Sequence, residues 1–127
     1  MDSGNETGRV AILIIDDEAS MRELLCGYLA NFDVMAFSGG EEAVEWLGAH
    51  PEKAFQLAVC DYSMPGMNGV KTLRAIGRLA PGAKLVLMSG VVAGDLERFA
   101  EENGFHGVLA KPFQMKKLDD LVASLLA

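Results

Sequence analysis

Several apolar runs of this 127-residue chain stop at a side chain that can do chemistry. Two adjacent carboxylates, Asp16 and Asp17, follow the first run, and Asp61 closes another. Ser89 and Lys111 stand at the ends of two further runs. Carboxylates gathered at one place repel each other, which raises their pKa unless a cation is present. A hard divalent ion such as Mg²⁺ relieves that repulsion, since it prefers a few carboxylates together with water and phosphate oxygens.

This set of groups suits chemistry on a phosphoryl group. We predict that Asp61 attacks phosphorus to form an aspartyl-phosphate, while the metal neutralises charge. The hydroxyl of Ser89 and the ammonium of Lys111 would then hold the phosphoryl oxygens. Each residue also has an ordinary alternative. Asp16 and Asp17 could cap a helix, Asp61 and Ser89 could be turn residues, and Lys111 could be a solvated surface lysine.

Five predicted strands alternate with five predicted helices and would position these groups. Apolar runs of this length, bounded by turn residues, are typical of buried strands. The alternation predicts a parallel sheet with helices on both faces. The carboxyl ends of parallel strands lie along one edge, where open α/β sheets place their ligands. The predicted strands span residues 10–15, 33–37, 55–60, 84–88 and 106–110.

Two predicted helices carry signals that the structure can test. Residues at helical spacing predict an apolar stripe on the first helix, as in amphipathic helices that face a core. The stretch Ser38-Gly39-Gly40-Glu41 resembles a capping box, which predicts that Ser38 caps the second helix. The stripe comprises Met21, Leu24, Leu25, Tyr28 and Leu29.

Composition and charge bound the function classes. The length fits one domain, which we place at residues 9–127, after a polar, flexible tail at residues 1–8. The net charge of −7 argues against a nucleic-acid-binding surface. We expect no signal peptide and no membrane span. Cys26 and Cys60 fit neither a metal-ligand spacing nor a disulfide framework, which favours a reducing cytoplasm.

Four motifs together resemble the receiver domains of two-component response regulators, the CheY-like family. The resemblance covers nearly everything from residue 9 to residue 127. It implies a flavodoxin-like (βα)5 doubly wound sandwich, with five parallel strands in the order 2-1-3-4-5. The motifs are Ile-Ile-Asp-Asp-Glu at 14–18, Asp-Tyr-Ser-Met-Pro-Gly-Met-Asn-Gly at 61–69, Met-Ser-Gly at 88–90 and Lys-Pro-Phe at 111–113.

The resemblance also implies roles for the site residues. Asp61 would take a phosphoryl group from a histidine kinase or a histidine phosphotransfer protein. Asp17 would ligate Mg²⁺ or Mn²⁺ directly, Asp16 would act mainly through water, and the backbone carbonyl of Ser63 would be a further ligand. Ser89 and Lys111 would contact the phosphoryl group, and the Lys111–Pro112 bond would be cis. The protein would catalyse its own phosphorylation and dephosphorylation rather than turn over a small molecule.

One departure from the family bears on switching. Three residues before the conserved lysine, where the family usually has Tyr or Phe, this chain has Val108. We therefore expect activation to shift the backbone of the loop at residues 90–94 and the adjoining helix, without rotation of an aromatic ring. Ser63 and Val91 would flank the path of a hydrolytic water, and Val91 offers no hydrogen bond to orient it, so we expect no unusually fast loss of the phosphate.

Partners and alternatives follow from the same resemblance. The phosphodonor would dock against the first helix, and the fourth helix, fifth strand and fifth helix would face a downstream protein or a fused module. The chain would be a stand-alone regulator or part of a larger protein, such as a hybrid kinase. A phosphatase of the haloacid dehalogenase type fits poorly, because its Asp-x-Asp nucleophile pattern is not matched at Asp16-Asp17-Glu18. A degenerate receiver, binding partners independently of phosphorylation, is the remaining alternative.

Overall fold

The computed structural model describes residues 9–90 and 95–127, so the predicted tail at residues 1–8 and most of the predicted switch loop, including Val91, lie outside the described residues. Strands and helices alternate through the described part of the chain. The strands are β1 (Ala11–Ile15), β2 (Asp33–Phe37), β3 (Leu57–Asp61), β4 (Lys84–Ser89) and β5 (Gly107–Ala110). The helices are α1 (Ala19–Tyr28), α2 (Gly40–Ala49), α3 (Gly69–Leu79), α4 (Leu96–Glu102) and α5 (Met115–Leu126).

All strand pairs of the sheet are parallel, and the order is β2-β1-β3-β4-β5, which confirms the predicted topology. The register aligns the carboxyl ends of the strands. Ile15 of β1 lies opposite Cys60 of β3, so the next residues, Asp16 and Asp61, lie side by side at the edge of the sheet. Ser89 at the end of β4 pairs with Ala110 of β5. The polar residues at the strand ends therefore share one edge.

The core has two halves, one on each face of the sheet. Alternate residues of a strand point to opposite faces. Leu13 and Ile15 of β1 pack in the half that contains residues of α2, α3 and α4. Ile12 and Ile14 pack in the half that contains residues of α1 and α5. Because β1 is buried on both faces, its sequence is apolar at every position, as the continuous run predicted.

The predicted apolar stripe of α1 is only partly correct. Leu25 and Leu29 are buried, but Leu24 is 50% exposed and Tyr28 is 42% exposed. Neighbouring helical residues point about 100° apart, so only one edge of the stripe can face the sheet. The Tyr28 hydroxyl instead donates a hydrogen bond to Asp119 of α5.

The predicted capping box of α2 is wrong by one residue. Gly39 is the N-cap, no side chain caps the helix, and Ser38 donates a hydrogen bond to the Glu42 carboxylate at 2.8 Å. The close packing of α2 against α3 requires this register, since a Cβ at Gly40 would lie 2.0 Å from the Thr72 hydroxyl oxygen. Glu41 therefore lies in the first turn of α2 without reaching back to the N-cap, and it accepts a hydrogen bond from Met67 instead.

Within residues 9–90 and 95–127, no helix has the length and apolar character needed to cross a lipid bilayer.

Candidate functional site

Three carboxylates meet at the carboxyl edge of the sheet. Asp16 follows β1 and is fully buried, Asp61 is the last residue of β3 and is 6% exposed, and Asp17 is exposed. One oxygen from each lies within 4.8 Å of the others. Three carboxylate oxygens at this spacing, one of them open to solvent, suit a hard cation that also keeps water ligands. The donor set therefore fits Mg²⁺ or Mn²⁺.

Lys111, which directly follows β5, brings a positive charge into this cluster. Its Nζ donates to Asp16 Oδ2 at 3.0 Å and lies 3.2 Å from Asp61 Oδ1. The Glu18 carboxylate is a further neighbour at 3.6 Å. The Lys111 side chain is only 15% exposed. The Lys111–Pro112 peptide bond is cis, which confirms the expectation from the resemblance.

The electrostatics leave the cluster short of positive charge. Burial raises the pKa of Asp61, Lys111 lowers it in part, and Asp16 and Asp17 raise it further, so that the pKa ends above its ordinary value. Burial lowers the pKa of Lys111, but its contacts with Asp16 and Asp61 more than offset this and raise the pKa overall. The ammonium therefore stays charged, and Asp61 still favours an additional cation.

The two other predicted site residues lie at the same edge. Ser89 ends β4 and is 4% exposed. Its carbonyl oxygen accepts a hydrogen bond of 2.8 Å from the Lys111 backbone N–H, which places the two residues side by side. Ser63 lies in the loop between β3 and α3, two residues after Asp61. The proposed roles of the Ser89 hydroxyl and the Ser63 carbonyl stay predictions.

The start of α3 fixes the backbone of Asp61. Gly69 packs so closely that a Cβ there would lie 2.3 Å from the Asp61 carbonyl oxygen. Its N–H donates to the Tyr62 carbonyl at 3.0 Å, and the Asn68 side chain caps α3 by accepting from Lys71 N–H at 3.0 Å. Asp61 is therefore held by the sheet on one side and by a capped helix on the other.

Two residues that the sequence analysis did not single out also hold the site. Arg22 of α1 donates to the Asp16 carbonyl oxygen at 2.8 Å, and the Glu18 N–H donates to Asp16 Oδ1 at 2.9 Å. Arg22 lies in the first turns of the predicted first helix, close to the end of β1, and this position could have indicated a contact with Asp16. Neither Asp16 nor Asp17 is the N-cap of α1, because that position is Glu18, whose own side chain makes no capping hydrogen bond.

Comparison with known proteins identifies the family of this chain. The family model described as "Response regulator receiver domain" matches residues 12–123. The response regulator protein FleR of Pseudomonas aeruginosa is 32% identical over 114 residues, which are 88% of this chain and 24% of FleR. The response regulator receiver protein CpdR of Brucella abortus is 30% identical over 117 residues, which are 91% of this chain and 95% of CpdR.

The chain spans about a quarter of the length of FleR and of the transcriptional regulatory protein ZraR of Salmonella typhimurium. Solved structures show the same fold. CheY in the CheX–CheY–BeF₃–Mg²⁺ complex of Borrelia burgdorferi superposes with a TM-score of 0.84 at 24% identity, covering 98% of this chain and 96% of that one. CheY4 of Vibrio cholerae gives a TM-score of 0.81 at 20% identity, covering 93% and 99%.

Proposed function

The chain belongs to the response regulator receiver family, whose domains accept phosphoryl groups in two-component signalling, and from this premise we propose that Asp61 is its phosphoacceptor. The donor is a phosphohistidine of a histidine kinase or a histidine phosphotransfer protein. An Asp61 carboxylate oxygen attacks phosphorus as the phosphorus–nitrogen bond breaks, and the imidazole leaves with the electron pair of that bond. The product is an aspartyl-phosphate.

The convergence at Asp61 carries this proposal. Its carboxylate ends β3, lies beside the ammonium of Lys111 at 3.2 Å, and shares a cluster with Asp16 and Asp17. These groups come from strand ends far apart in sequence. Such a cluster costs folding energy through repulsion and desolvation, so its presence at a ligand-binding edge favours a functional role.

The other site residues take the following roles in the proposal. Asp16, Asp17, Asp61 and the backbone carbonyl of Ser63 would hold Mg²⁺ or Mn²⁺. The metal supplies positive charge that neutralises the phosphoryl oxygens. Lys111 pairs with a phosphoryl oxygen as a point charge, and the Ser89 hydroxyl donates to another. Both residues lie at the ends of neighbouring strands, which supports transfer by preorganisation.

Two surfaces suit the partners that we propose. The exposed Leu24 and Tyr28 on α1 offer an apolar surface for the phosphodonor. Between α4 and α5 lies a groove of about 270 Å³ over β5, where we place a downstream protein or a fused module. A complex of CheY with the protein CheX among the similar structures supports a protein partner.

Free thiols at Cys26 and Cys60 support a cytoplasmic location.

Phosphorylation by a small-molecule donor tests this function. The protein is incubated with acetyl phosphate and Mg²⁺, and intact mass is measured. We expect the mass of one phosphoryl group to be gained. This gain should not occur when EDTA removes the Mg²⁺, nor in Asp61→Asn. Asp120→Asn, which removes an exposed carboxylate of α5, is the matched control and should be phosphorylated like the wild type. No gain, or a gain that survives Asp61→Asn, would favour the degenerate receiver.

A further inference from the structure

Glu41, in the first turn of α2, contacts the loop that follows the phosphoacceptor. Its Oε2 accepts a hydrogen bond of 2.8 Å from the backbone N–H of Met67. The same carboxylate lies over Gly66, where a Cβ would come within 2.6 Å of Oε2. Gly66 has φ +75, a conformation that glycine adopts without steric cost. Glu41 thus holds the loop at its turn.

The neighbouring acid has a different role. Glu42 lies one residue further along α2 and accepts a hydrogen bond from the Ser38 hydroxyl, within its own end of the helix. Both carboxylates are exposed and both lie in the first turn of α2. They contribute similar charge to the surroundings, but only Glu41 is hydrogen-bonded to the loop. The pair therefore separates the effect of the contact from the effect of the charge.

The loop contacts enclose the residue proposed to complete the metal site. At one end, the Tyr62 N–H donates to the Met88 carbonyl at 2.8 Å, which continues the sheet. At the other end stands the Glu41–Met67 hydrogen bond. Ser63 lies between these two fixed points. Loss of the second contact would loosen the part of the loop that follows Ser63, while Tyr62, the buried Met64 and the carboxylates on the strand ends would stay in place.

We propose that Glu41 is a positioning residue for the metal, acting through the loop backbone so that the Ser63 carbonyl faces the acidic cluster. This inference rests on the proposed function. Residues that orient metal ligands from behind typically change metal affinity about 10–100-fold when they are removed. Because a single neutral ligand is affected here, we expect a loss of about tenfold, at the lower end of that range.

The test compares Glu41→Ala, Glu41→Gln and Glu42→Ala with the wild type. Mg²⁺ affinity is measured by calorimetry, and amide hydrogen exchange at Met67 is measured in the metal-free protein. We expect Glu41→Ala to weaken Mg²⁺ binding about tenfold and to speed exchange at Met67. Glu41→Gln keeps an acceptor oxygen and should restore most of the affinity, and Glu42→Ala should resemble the wild type.

Several outcomes would overturn this role for Glu41. One is wild-type Mg²⁺ affinity in Glu41→Ala, and another is an equal loss in Glu42→Ala, which would assign the effect to charge alone. A third is the absence of Mg²⁺ binding in the wild type. If Glu41→Ala does not fold, Glu41→Gln decides, since a loss of affinity there despite the retained acceptor would also count against the contact. A wild type that binds Mg²⁺ but is never phosphorylated would refute the proposed function and leave the affinity comparison intact.

Discussion

The ammonium nitrogen of Lys111 lies 3.2 Å from Oδ1 of Asp61, although strand β4 separates the two strands that carry these residues. The side chain reaches across the end of β4, where Ser89 lies, and also donates to Asp16 at 3.0 Å. One cation therefore bridges the ends of β1, β3 and β5. This relationship links the stability of the domain to the chemistry of its site.

Lys111→Ala should destabilise the domain, because it leaves Asp16 buried without its cation. Removing one partner of a buried ion pair lowers the free energy of unfolding by about 3–5 kcal/mol. We expect the lower value, about 3 kcal/mol, because the neighbouring Asp17 and Glu18 are open to water and the site is therefore not fully dry. Urea denaturation measures the change. Lys116→Ala is the control, because Lys116 pairs with Asp120 on the surface of α5, and it should cost less than about 0.5 kcal/mol. Equal effects of the two variants would contradict the bridging role.

Asp61→Asn should stabilise the metal-free protein at neutral pH. Burial is the main cause of the raised pKa of Asp61. A carboxyl with a raised pKa in the folded state adds stability below its unfolded pKa, and this contribution is lost as pH rises through the folded value. Asparagine avoids that loss, and we expect a gain of about 0.5–2 kcal/mol.

The gain from Asp61→Asn should shrink as pH falls, because the protonated aspartic acid is then neutral as well. Urea midpoints in EDTA, taken at neutral pH and near the ordinary pKa of aspartate, measure this difference. A variant less stable than the wild type at neutral pH would show that the contact with Lys111 outweighs burial.

Gly69→Ala should destabilise the domain and impair phosphorylation, because a Cβ would lie 2.3 Å from the Asp61 carbonyl oxygen and 2.8 Å from the Tyr62 Cα. These are backbone atoms, so α3 or the acceptor must move, at a cost of about 1–3 kcal/mol. Gly48→Ala in α2 meets no atom within 4 Å and should instead stabilise by about 0.5–1 kcal/mol. Thermal unfolding and phosphorylation rates compare the two. Wild-type phosphorylation in Gly69→Ala would contradict the proposed fixing of Asp61.

His106 should make stability fall in mild acid. Its Nδ1 accepts a hydrogen bond of 2.9 Å from the Leu85 backbone N–H, which requires the neutral ring. Burial lowers the pKa of His106, and Lys84 lowers it further. The unfolded chain thus binds the proton more tightly, so stability present above the ordinary histidine pKa of about 6.5 is lost as pH falls from there towards the lowered value.

His106→Gln should flatten this pH dependence, because an amide oxygen can accept the Leu85 hydrogen bond at any pH. Urea midpoints measured from neutral pH down to about pH 5, a range that includes the ordinary histidine pKa, provide the comparison. An unchanged slope in the variant would assign the acid sensitivity to other groups.

Local signals in the sequence were enough to predict the fold and to predict which residues lie together at the carboxyl edge of the sheet. Uninterrupted apolar runs predicted strands buried on both faces, and turn residues marked their ends near the observed ones. The carboxyl ends of parallel strands lie along one edge of a sheet, so polar residues at those ends share that edge. The convergence of Asp16, Asp61, Ser89 and Lys111 therefore followed from the alternation of strands and helices. Motifs at fixed spacing then indicated the family before any contact was known.

The tertiary structure decided which face each helix buries and which loop each side chain meets. Leu24 and Leu25 are equally apolar, but only Leu25 faces the sheet. Glu41 and Glu42 are identical in type, but the packing of Gly40 against Thr72 sets the start of α2 and directs Glu41 to Met67. Spacing along the chain defines angles around a helix axis, whereas the rotation of that helix depends on neighbours distant in sequence.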